Sequence, residues 1–283
     1  MSNQKTIDTH LHLDESVPGG ADNAVAELRS QMVDAGVERG VVLHLECQRW
    51  PLEEVATAVH AEKSLLLFAN VNPMDPEASD KLRYAITELG CGGLKLHPRL
   101  QDYQVNHKLT SALVSLAGEL GVPVLIDAFP DGDWMLQGHS MLDYALLARA
   151  CPKTNLIIAH MAGHKVLDAM MLAKRTPNIY FDTSYSLLYY RGSSVPADLV
   201  YAMRSMRFKR IFYGSDYPDR GLKETLTESV AVMREHKIGM RNSTQFYTRT
   251  HWNSCRGEPA RHIRKRLNRR TLRETPARVR AES

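Results

Sequence analysis

The sequence predicts an α/β protein built as one closed (β/α)8 barrel. Through residues 1–240, short stretches of strand composition alternate with longer stretches of helical periodicity. Strands that alternate with helices indicate a parallel sheet, and a count of eight strands favours closure into a barrel. The length of 283 residues agrees with this prediction, because a barrel of this type commonly occupies about 250 residues.

The predicted strands are short stretches rich in Val, Ile, Leu and Phe. In chain order they read KTIDTH, GVVLHL, LLLFANV, GGLKLH, PVLIDA, NLIIAH, NIYFDT and RIFYGS. Helical periodicity separates them, as in AVAELRSQMVDAG and HKLTSALVSLAGELG. Gly36, Gly90 and Gly121 follow helical stretches at the place where a glycine commonly ends a helix, which supports this division.

The alternation of strands and helices stops near residue 240, and the charge changes sign there. Residues 241–283 contain 12 Lys and Arg against three Glu, whereas residues 1–240 contain 24 Lys and Arg against 29 Asp and Glu. An acidic body of about 240 residues is therefore followed by an Arg-rich tail, which we predict to be disordered or weakly helical. Clustered arginines attract phosphate, but no basic groove with stacking aromatics is evident. We therefore interpret the tail as solvated and expect no nucleic-acid partner.

Composition excludes several classes of protein. Hydrophobic residues make up 43% and charged residues 24%, which is typical of a globular chain with a sizeable core. No stretch of about 18 apolar residues occurs, so we expect a soluble cytoplasmic protein with no membrane partner. The four cysteines lie far apart without C-x-x-C spacing, so we expect reduced thiols rather than a disulfide framework.

Two histidines end the first predicted strand. His10 and His12 lie two residues apart, so their side chains point to the same side of the strand. Active sites of barrel enzymes form at the carboxyl ends of the strands, and other predicted strands also end in polar residues. These residues are Lys95 and His97 after strand 4, His160 after strand 6, and Asp216 after strand 8. Imidazoles and a carboxylate that converge in this way predict a site for a divalent cation such as zinc.

The pieces IDTHLH, GGLKLHP, NLIIAHMAGH and FYGSDYP occur in this order between residues 7 and 218. In these pieces the chain resembles the amidohydrolase superfamily, in its amidohydrolase-related branch with the aminocarboxymuconate-semialdehyde decarboxylase-like enzymes. The resemblance implies a (β/α)8 TIM barrel with its site at the strand ends. It implies a divalent metal ion, most readily zinc with manganese as an alternative, and it leaves a homodimer open.

Site residues follow from the resemblance position by position. His10 and His12 match the metal ligands of strand 1. Asp216 matches the strand-8 aspartate that binds metal or activates water. His160 matches a strand-6 histidine that ligates the ion or holds the substrate. Asp216 and His160 are thus the expected catalytic residues, and all four are expected metal ligands.

One position departs from the family pattern. Many relatives have a histidine ligand after strand 5, where this chain has Asp127 in PVLIDAFPDG. Asp127 either replaces that ligand, which would favour a harder ion such as manganese, or leaves a site that binds metal weakly or not at all. Some lactonases of the superfamily work without metal, so a metal-free state stays open.

Substrate contacts are expected from the strand-4 side. Lys95 could anchor a substrate carboxylate, become a carboxylated metal bridge as in some relatives, or form an ion pair inside the barrel; we favour the first. His97 and Arg99 are expected to contact the substrate as well. The stretches FPDGDWMLQGHS and SYSLLYYRGSS follow strands 5 and 7 and are expected to set specificity.

The sequence thus predicts a metal-dependent hydrolase that activates water to cleave an amide, ester or lactone bond of a small carboxylated substrate. A non-oxidative decarboxylase or a metal-independent lactonase on the same scaffold are the alternatives, since fold does not determine function. A non-catalytic barrel that uses its basic tail to bind an acidic partner is a third interpretation.

Overall fold

A computed structural model describes residues 6–238 of the chain. Eight strands form one sheet in the order β1 to β8, and each neighbouring pair is parallel. They are β1 Thr6–Leu11, β2 Val37–Leu43, β3 Leu65–Asn70, β4 Gly93–Leu96, β5 Val124–Ile126, β6 Leu156–Ile158, β7 Ile179–Asp182 and β8 Ile211–Phe212. All eight predicted strands are present, and the α/β barrel is confirmed.

Backbone contacts between the first and last strands bring the two edges of the sheet together. Thr9 N donates to Tyr213 O at 2.9 Å, and Asp216 N donates to His10 O at 3.0 Å. His12 N donates to Tyr217 O at 2.8 Å. Because these bonds lie at the carboxyl end of β1, the closure also holds His10 beside Asp216.

Helices connect the strands on the outside of the barrel. They are α1 Ala21–Ala35, α2 Leu52–Ala61, α3 Ala78–Thr87, α4 Pro98–Gln101, α5 Lys108–Glu119, α6 Gly132–Leu136, α7 Met141–Ala150, α8 Val166–Ala173, α9 Ser186–Tyr189, α10 Val195–Ser205 and α11 Leu222–Glu235. The short helices α4, α6 and α9 lie in loops after strands 4, 5 and 7, so they line the end of the barrel that carries the strand carboxyl ends. We call this end the mouth.

Two apolar clusters form the core. The larger cluster packs the outer faces of the strands against the inner faces of the helices. The smaller cluster fills the barrel interior with Ile7, Leu43, Phe68, Leu125 and Ile157 among others. Since bulky side chains close the interior below the mouth, the polar side chains at the strand ends lie on an apolar floor.

Local signals in the sequence agree with these boundaries. Gly36 follows α1 with φ of 71°, a left-handed conformation that glycine adopts without strain.

Cys91 and Cys151 are buried free thiols, as predicted, whereas Cys47 is exposed. The predicted Arg-rich tail, residues 241–283, lies outside the described residues, so that interpretation stays a prediction.

Arg210 binds the end of α8 to the strands at the bottom of the barrel. Its Nη1 donates to the carbonyl oxygens of Thr176, Pro177 and Ile179 at 3.1, 3.2 and 2.7 Å, and its Nη2 donates to that of Ala173 at 3.1 Å. We expect Arg210→Ala to lower the free energy of unfolding by about 2 kcal/mol. The melting temperature should therefore fall by about 4–8 °C in thermal denaturation. Arg207→Ala is the control, because Arg207 lies in the same left-handed turn and is exposed; equal losses for both variants would contradict the role of Arg210.

Candidate metal and catalytic site

His10 and His12 are held at the mouth by bonds to their Nδ1 atoms. His10 Nδ1 lies 3.0 Å from Asp182 Oδ2, and His12 Nδ1 lies 2.8 Å from Leu43 O. In the tautomers that these acceptors favour, Nδ1 carries the proton and Nε2 presents a lone pair. Burial lowers the pKa of His12 to about 3, so this ring is neutral at physiological pH and can act as a ligand.

The Nε2 atoms of both histidines face Asp216. Asp216 Oδ1 lies 3.2 Å from His10 Nε2 and 3.7 Å from His12 Nε2. Burial opposes ionisation of Asp216, but the neighbouring His10, His160 and Lys95 lower its pKa. His10, His12 and Asp216 form one of two groups in the described residues whose geometry suits a metal ion.

The second group consists of His10, His160 and Asp182. Asp182 is fully buried and accepts hydrogen bonds from His160 N and Ser184 N, both at 3.0 Å, and from Ser184 Oγ. Burial opposes its ionisation, but His10, His160 and these donors lower the pKa of Asp182. Ser184 Oγ also lies 2.9 Å from His160 Nδ1 and 3.0 Å from His10 Nδ1. Asp182 and Ser184 therefore link His10 to His160 through hydrogen bonds.

Asp182 and Ser184 are not among the site residues predicted from the sequence. Asp182 is the last residue of β7 and the last but one of the predicted strand NIYFDT. The rule that predicts Asp216 and His160, a polar residue at a strand end, therefore applies to it as well. Ser184 carries no comparable signal, since serine is common in loops. Its place between two imidazoles depends on the approach of β1, β6 and β7.

Asp127 lies on the opposite side of the mouth and outside both groups. Its Oδ1 lies 3.1 Å from His160 Nε2 and 3.8 Å from His97 Nε2, and Arg99 Nε donates to its Oδ2 at 3.4 Å. Although burial opposes ionisation, His97, His160 and Arg99 hold the pKa of Asp127 well below its usual range. Arg99 also donates to Asp131 Oδ2 at 2.8 Å through Nη1. Asp127 as a metal ligand and Arg99 as a substrate contact stay predictions.

Lys95 lies between these two sides. Its side chain is 1% exposed, and its Nζ lies 3.5 Å from His10 Nε2. Burial lowers the pKa of Lys95, while Asp127, Asp216 and Asp182 act in the opposite direction. Lys95 thus interacts electrostatically with three carboxylates, and Arg99 lowers its pKa further.

The backbone after β6 is strained at His160. His160, Met161 and Ala162 have φ of 58°, 47° and 60° in succession, a left-handed conformation that costs about 1–2 kcal/mol per residue. Ser186 Oγ donates to His160 O at 2.6 Å, which helps to hold the turn. Asp216 is also left-handed, with φ of 67°. Strained backbone at two of the predicted catalytic residues is a pattern typical of functional sites.

The loops after β5 and β7 place an aromatic wall beside His160. The rings of Phe129 and His160 meet edge to face at 5.8 Å between centroids, and Phe129 meets Tyr185 and Tyr189 in the same way at 5.1 and 5.2 Å. The wall comes from the two stretches that were expected to set specificity. Which substrate they select stays a prediction.

Asp8 lies two residues before His10, and its carboxyl group should make the stability of the folded protein depend on pH. Its Oδ1 accepts from His10 N at 3.0 Å and Ser215 N at 3.1 Å, whereas its buried Oδ2 has no hydrogen-bond partner among the described residues. Burial raises the pKa of Asp8 from 3.8 to about 7. Between these values the folded protein keeps a proton that the unfolded chain has released, so stability falls as pH rises from about 4 to 7.

We expect Asp8→Asn to remove this loss, because the amide stays neutral while its oxygen keeps both backbone bonds. The melting temperature of the variant minus that of the wild type should increase from pH 5 to pH 8 in chelator-treated protein. The difference between the two pKa values of Asp8 corresponds to roughly 4 kcal/mol. Asp80→Asn, at an exposed carboxylate, should give a difference that does not change with pH. A pH-independent difference for Asp8→Asn as well would contradict the assignment.

Comparison with known proteins identifies the family. The family model named amidohydrolase matches residues 7–245. The chain belongs to the amidohydrolase family. No curated protein sequence matches it significantly. Among the described residues of this family member, no helix is long and apolar enough to cross a membrane.

Solved structures share the fold at low sequence identity. An uncharacterised TIM-barrel protein from Bordetella bronchiseptica is 18% identical, with a TM-score of 0.71, and the match covers 95% of this chain and 100% of that one. A probable 2-pyrone-4,6-dicarboxylic acid hydrolase from Acinetobacter baumannii is 15% identical, with a TM-score of 0.57 and coverage of 86% and 99%. A 5-carboxyvanillate decarboxylase from Novosphingobium aromaticivorans, solved with bound manganese, is 13% identical, with a TM-score of 0.56 and coverage of 88% and 96%. Proteins that share this fold thus include one named as a probable hydrolase and one named as a decarboxylase.

Proposed function

We propose that this amidohydrolase-family enzyme is a divalent-metal-dependent hydrolase of a small ester, lactone or amide that bears a carboxylate. The observation that carries the proposal is the approach of His10 Nε2 and His12 Nε2 to one carboxylate oxygen of Asp216, at 3.2 and 3.7 Å. Their Nδ1 atoms are bound elsewhere, so the Nε2 atoms present the lone pairs. That of His10 also lies 3.5 Å from Lys95 Nζ, which a bound cation would displace.

The donor set fits a divalent ion. Two imidazoles and one carboxylate are a common set for zinc, and manganese becomes the alternative where more oxygen ligands take part. Asp216, which lies beside both histidines, supplies negative charge for a cation. His10, His12 and Asp216 would hold a divalent ion, which would supply Lewis acidity toward a carbonyl oxygen of the substrate.

Proton transfers are assigned to Asp216 and His160. Asp216 is ionised at neutral pH and 19% exposed, so it can reach a water molecule at the mouth and accept its proton. Burial lowers the pKa of His160, but its bond to Asp127 raises it, and the net shift is upward. The protonated ring can then donate to the leaving oxygen or nitrogen. The hydroxyl group of the water joins the acyl carbon, one water proton passes to Asp216, and the bond to the leaving group breaks as His160 protonates it. Transfer of a proton from Asp216 to His160 then restores both residues.

The carboxylate of the substrate is assigned to the strand-4 side. Lys95, His97 and Arg99 lie together there, and Arg99 is part-exposed at the mouth. An arginine in this position can bind a carboxylate with two parallel bonds. Asp131, which Arg99 binds at 2.8 Å, would exchange places with the substrate group.

Non-oxidative decarboxylation is the second candidate. The observation in its favour is the structural similarity to a 5-carboxyvanillate decarboxylase that was solved with manganese. The same residues can serve it, since a carboxylate held beside a metal is the group that a decarboxylase removes. Assays of carboxylated lactones, esters and aromatic acids, with carbon dioxide and released acid measured separately, distinguish the two reactions. Carbon dioxide without hydrolysis would replace the hydrolase proposal by the lyase.

Metal binding is tested by titration of the chelator-treated protein with Zn²⁺ and Mn²⁺ in a calorimeter. We expect one tight site, and we expect His12→Ala to weaken it by about 100-fold or more, since even outer partners of a ligand contribute about 10–100-fold. His107→Ala is the control, because His107 caps α5 and lies outside the site. Absence of binding by the wild type, or equal affinity of the two variants, would refute the metal-dependent proposal.

A further inference from the structure

An apolar patch lies on the outer surface of the barrel, on α7 and α8. Leu142 and Leu146 on α7 are 52% and 50% exposed, and Leu167 and Met171 on α8 are 40% and 60% exposed. These four account for a third of the twelve large hydrophobic side chains that are exposed among the described residues. The helices pack side by side, and a groove between them is lined by residues of both. Apolar side chains that cluster rather than scatter mark a surface that binds a partner.

On α7, an acidic residue precedes the exposed Leu146 and a basic residue follows it. Asp143 comes three residues before Leu146, and Arg149 comes three residues after it. At a rise of about 1.5 Å per residue, each charge lies about 4.5 Å along the helix axis from the centre. The helix thus presents an acid, an apolar side chain and a base along the surface that contains Leu142.

The neighbouring helix repeats the same order. On α8, Leu167 is followed by Asp168 and then by Met171, and Arg175 lies in the turn after the helix, four residues beyond Met171. The two helices therefore share the pattern Leu-Asp-x-x-apolar followed by a basic residue. Leu146 and Met171 line the same groove, so the apolar centres of the two helices lie side by side.

We propose that this surface, the α7–α8 face, binds a second copy of the chain through a two-fold axis level with Leu146 and Met171. An antiparallel copy places each acid opposite a base: Asp143 faces Arg149 of the second copy, and Asp168 faces Arg175 of the second copy. The apolar side chains then pack against their own equivalents, as an isologous interface requires. A parallel arrangement would place like charges together on both helices.

Charge also argues against the other occupants. The tail of this chain, residues 241–283, carries 12 Lys and Arg against three Glu, so Arg149 and Arg175 would repel it even though Asp143 and Asp168 would attract it. An acidic partner would meet Asp143 and Asp168 as well as the arginines. A complementary partner must place a base opposite each acid and an acid opposite each base. An antiparallel second copy of the chain has its charges in that order.

The oligomeric state tests this proposal. We expect the wild type to sediment as a dimer in analytical ultracentrifugation, and we expect Met171→Glu to weaken the dimer by about 30-fold or more. Val33→Glu is the matched control, because Val33 is 71% exposed on α1, away from this face, and should leave the dimer intact. A monomeric wild type, or a dimer that tolerates Met171→Glu, would overturn the proposal.

A charge exchange tests the antiparallel arrangement separately. Asp168→Arg and Arg175→Glu each place like charges opposite one another, so each variant alone should be monomeric. In a mixture of the two, the arginine introduced at position 168 of one chain faces the glutamate introduced at position 175 of the other. The native Arg175 of the first chain then faces the native Asp168 of the second, so a heterodimer should form. This gain of association shows at once that both variants are folded. A mixture that stays monomeric, or single variants that remain dimeric, would exclude the antiparallel contact.

Discussion

Replacing Asp216 with asparagine should lower kcat/KM by about 10²–10⁴-fold, because the amide cannot accept the proton of the attacking water. Asp216 is the carboxylate that both Nε2 atoms of the strand-1 histidines face, and its lowered pKa keeps it ionised at neutral pH. The measurement is the rate of acid release from the most active member of the ester and lactone panel, with the metal supplied in excess.

Folding should not account for this loss. Asp216 has φ of 67°, and asparagine tolerates the left-handed region at least as well as aspartate. The melting temperature of Asp216→Asn should therefore stay close to that of the wild type. Asp219→Asn is the control at an exposed carboxylate three residues further on, and it should keep nearly full activity. An Asp216→Asn enzyme within about threefold of wild-type kcat/KM would remove Asp216 from the role of base.

Replacing Asp182 with alanine should destabilise the protein by about 3–5 kcal/mol, the effect typical of removing one partner from a buried charged network. The change leaves His10 Nδ1, His160 N and the two donors of Ser184 without their acceptor. Urea denaturation of chelator-treated protein measures the loss. Asp182→Asn should lose less, because its oxygen can still accept from the backbone donors.

The same network should contribute a pH-dependent part of the stability. Since folding lowers the pKa of Asp182, the unfolded chain binds a proton at this residue more readily than the folded protein does. The stabilisation is present above the unfolded pKa, about 4, and is lost as the pH falls below it. The difference in unfolding free energy between wild type and Asp182→Asn should shrink below pH 4. A difference that is constant from pH 3 to 7 would contradict an ionised Asp182.

Much of the site could be predicted because barrel strands end at one mouth. The H-x-H pair at the end of β1 needs only the two-residue period of a strand to place both imidazoles on one side. His160 and Asp216 follow from the same rule, and the structure brings all four side chains to the mouth. Asp127 also lies at the mouth, but its partners there are His160 and Arg99, which the strand order alone does not predict.

Other features depend on distances that no local pattern contains. Ser184 lies between two imidazoles because β7 passes beside both β1 and the strained turn at His160. The pairing of Arg99 with Asp127 and Asp131 depends on how α4 and the loop after β5 approach each other. The repeated Leu-Asp pattern on α7 and α8 is visible in the sequence, but its meaning depends on the two helices being neighbours on one surface.

Hydrophobic periodicity and strand polarity were enough to predict the barrel and the residues at its strand ends, because both are properties of short segments. Only the folded molecule shows which of those residues share protons. It also shows which carboxylates act on Lys95 and which helix faces lie side by side. These are contacts between residues far apart in the chain, and their energies depend on burial and on distances of a few ångströms. The two histidines at the end of β1 could therefore be predicted as a pair from seven residues, whereas their support by Asp182 and Leu43 required the closed barrel.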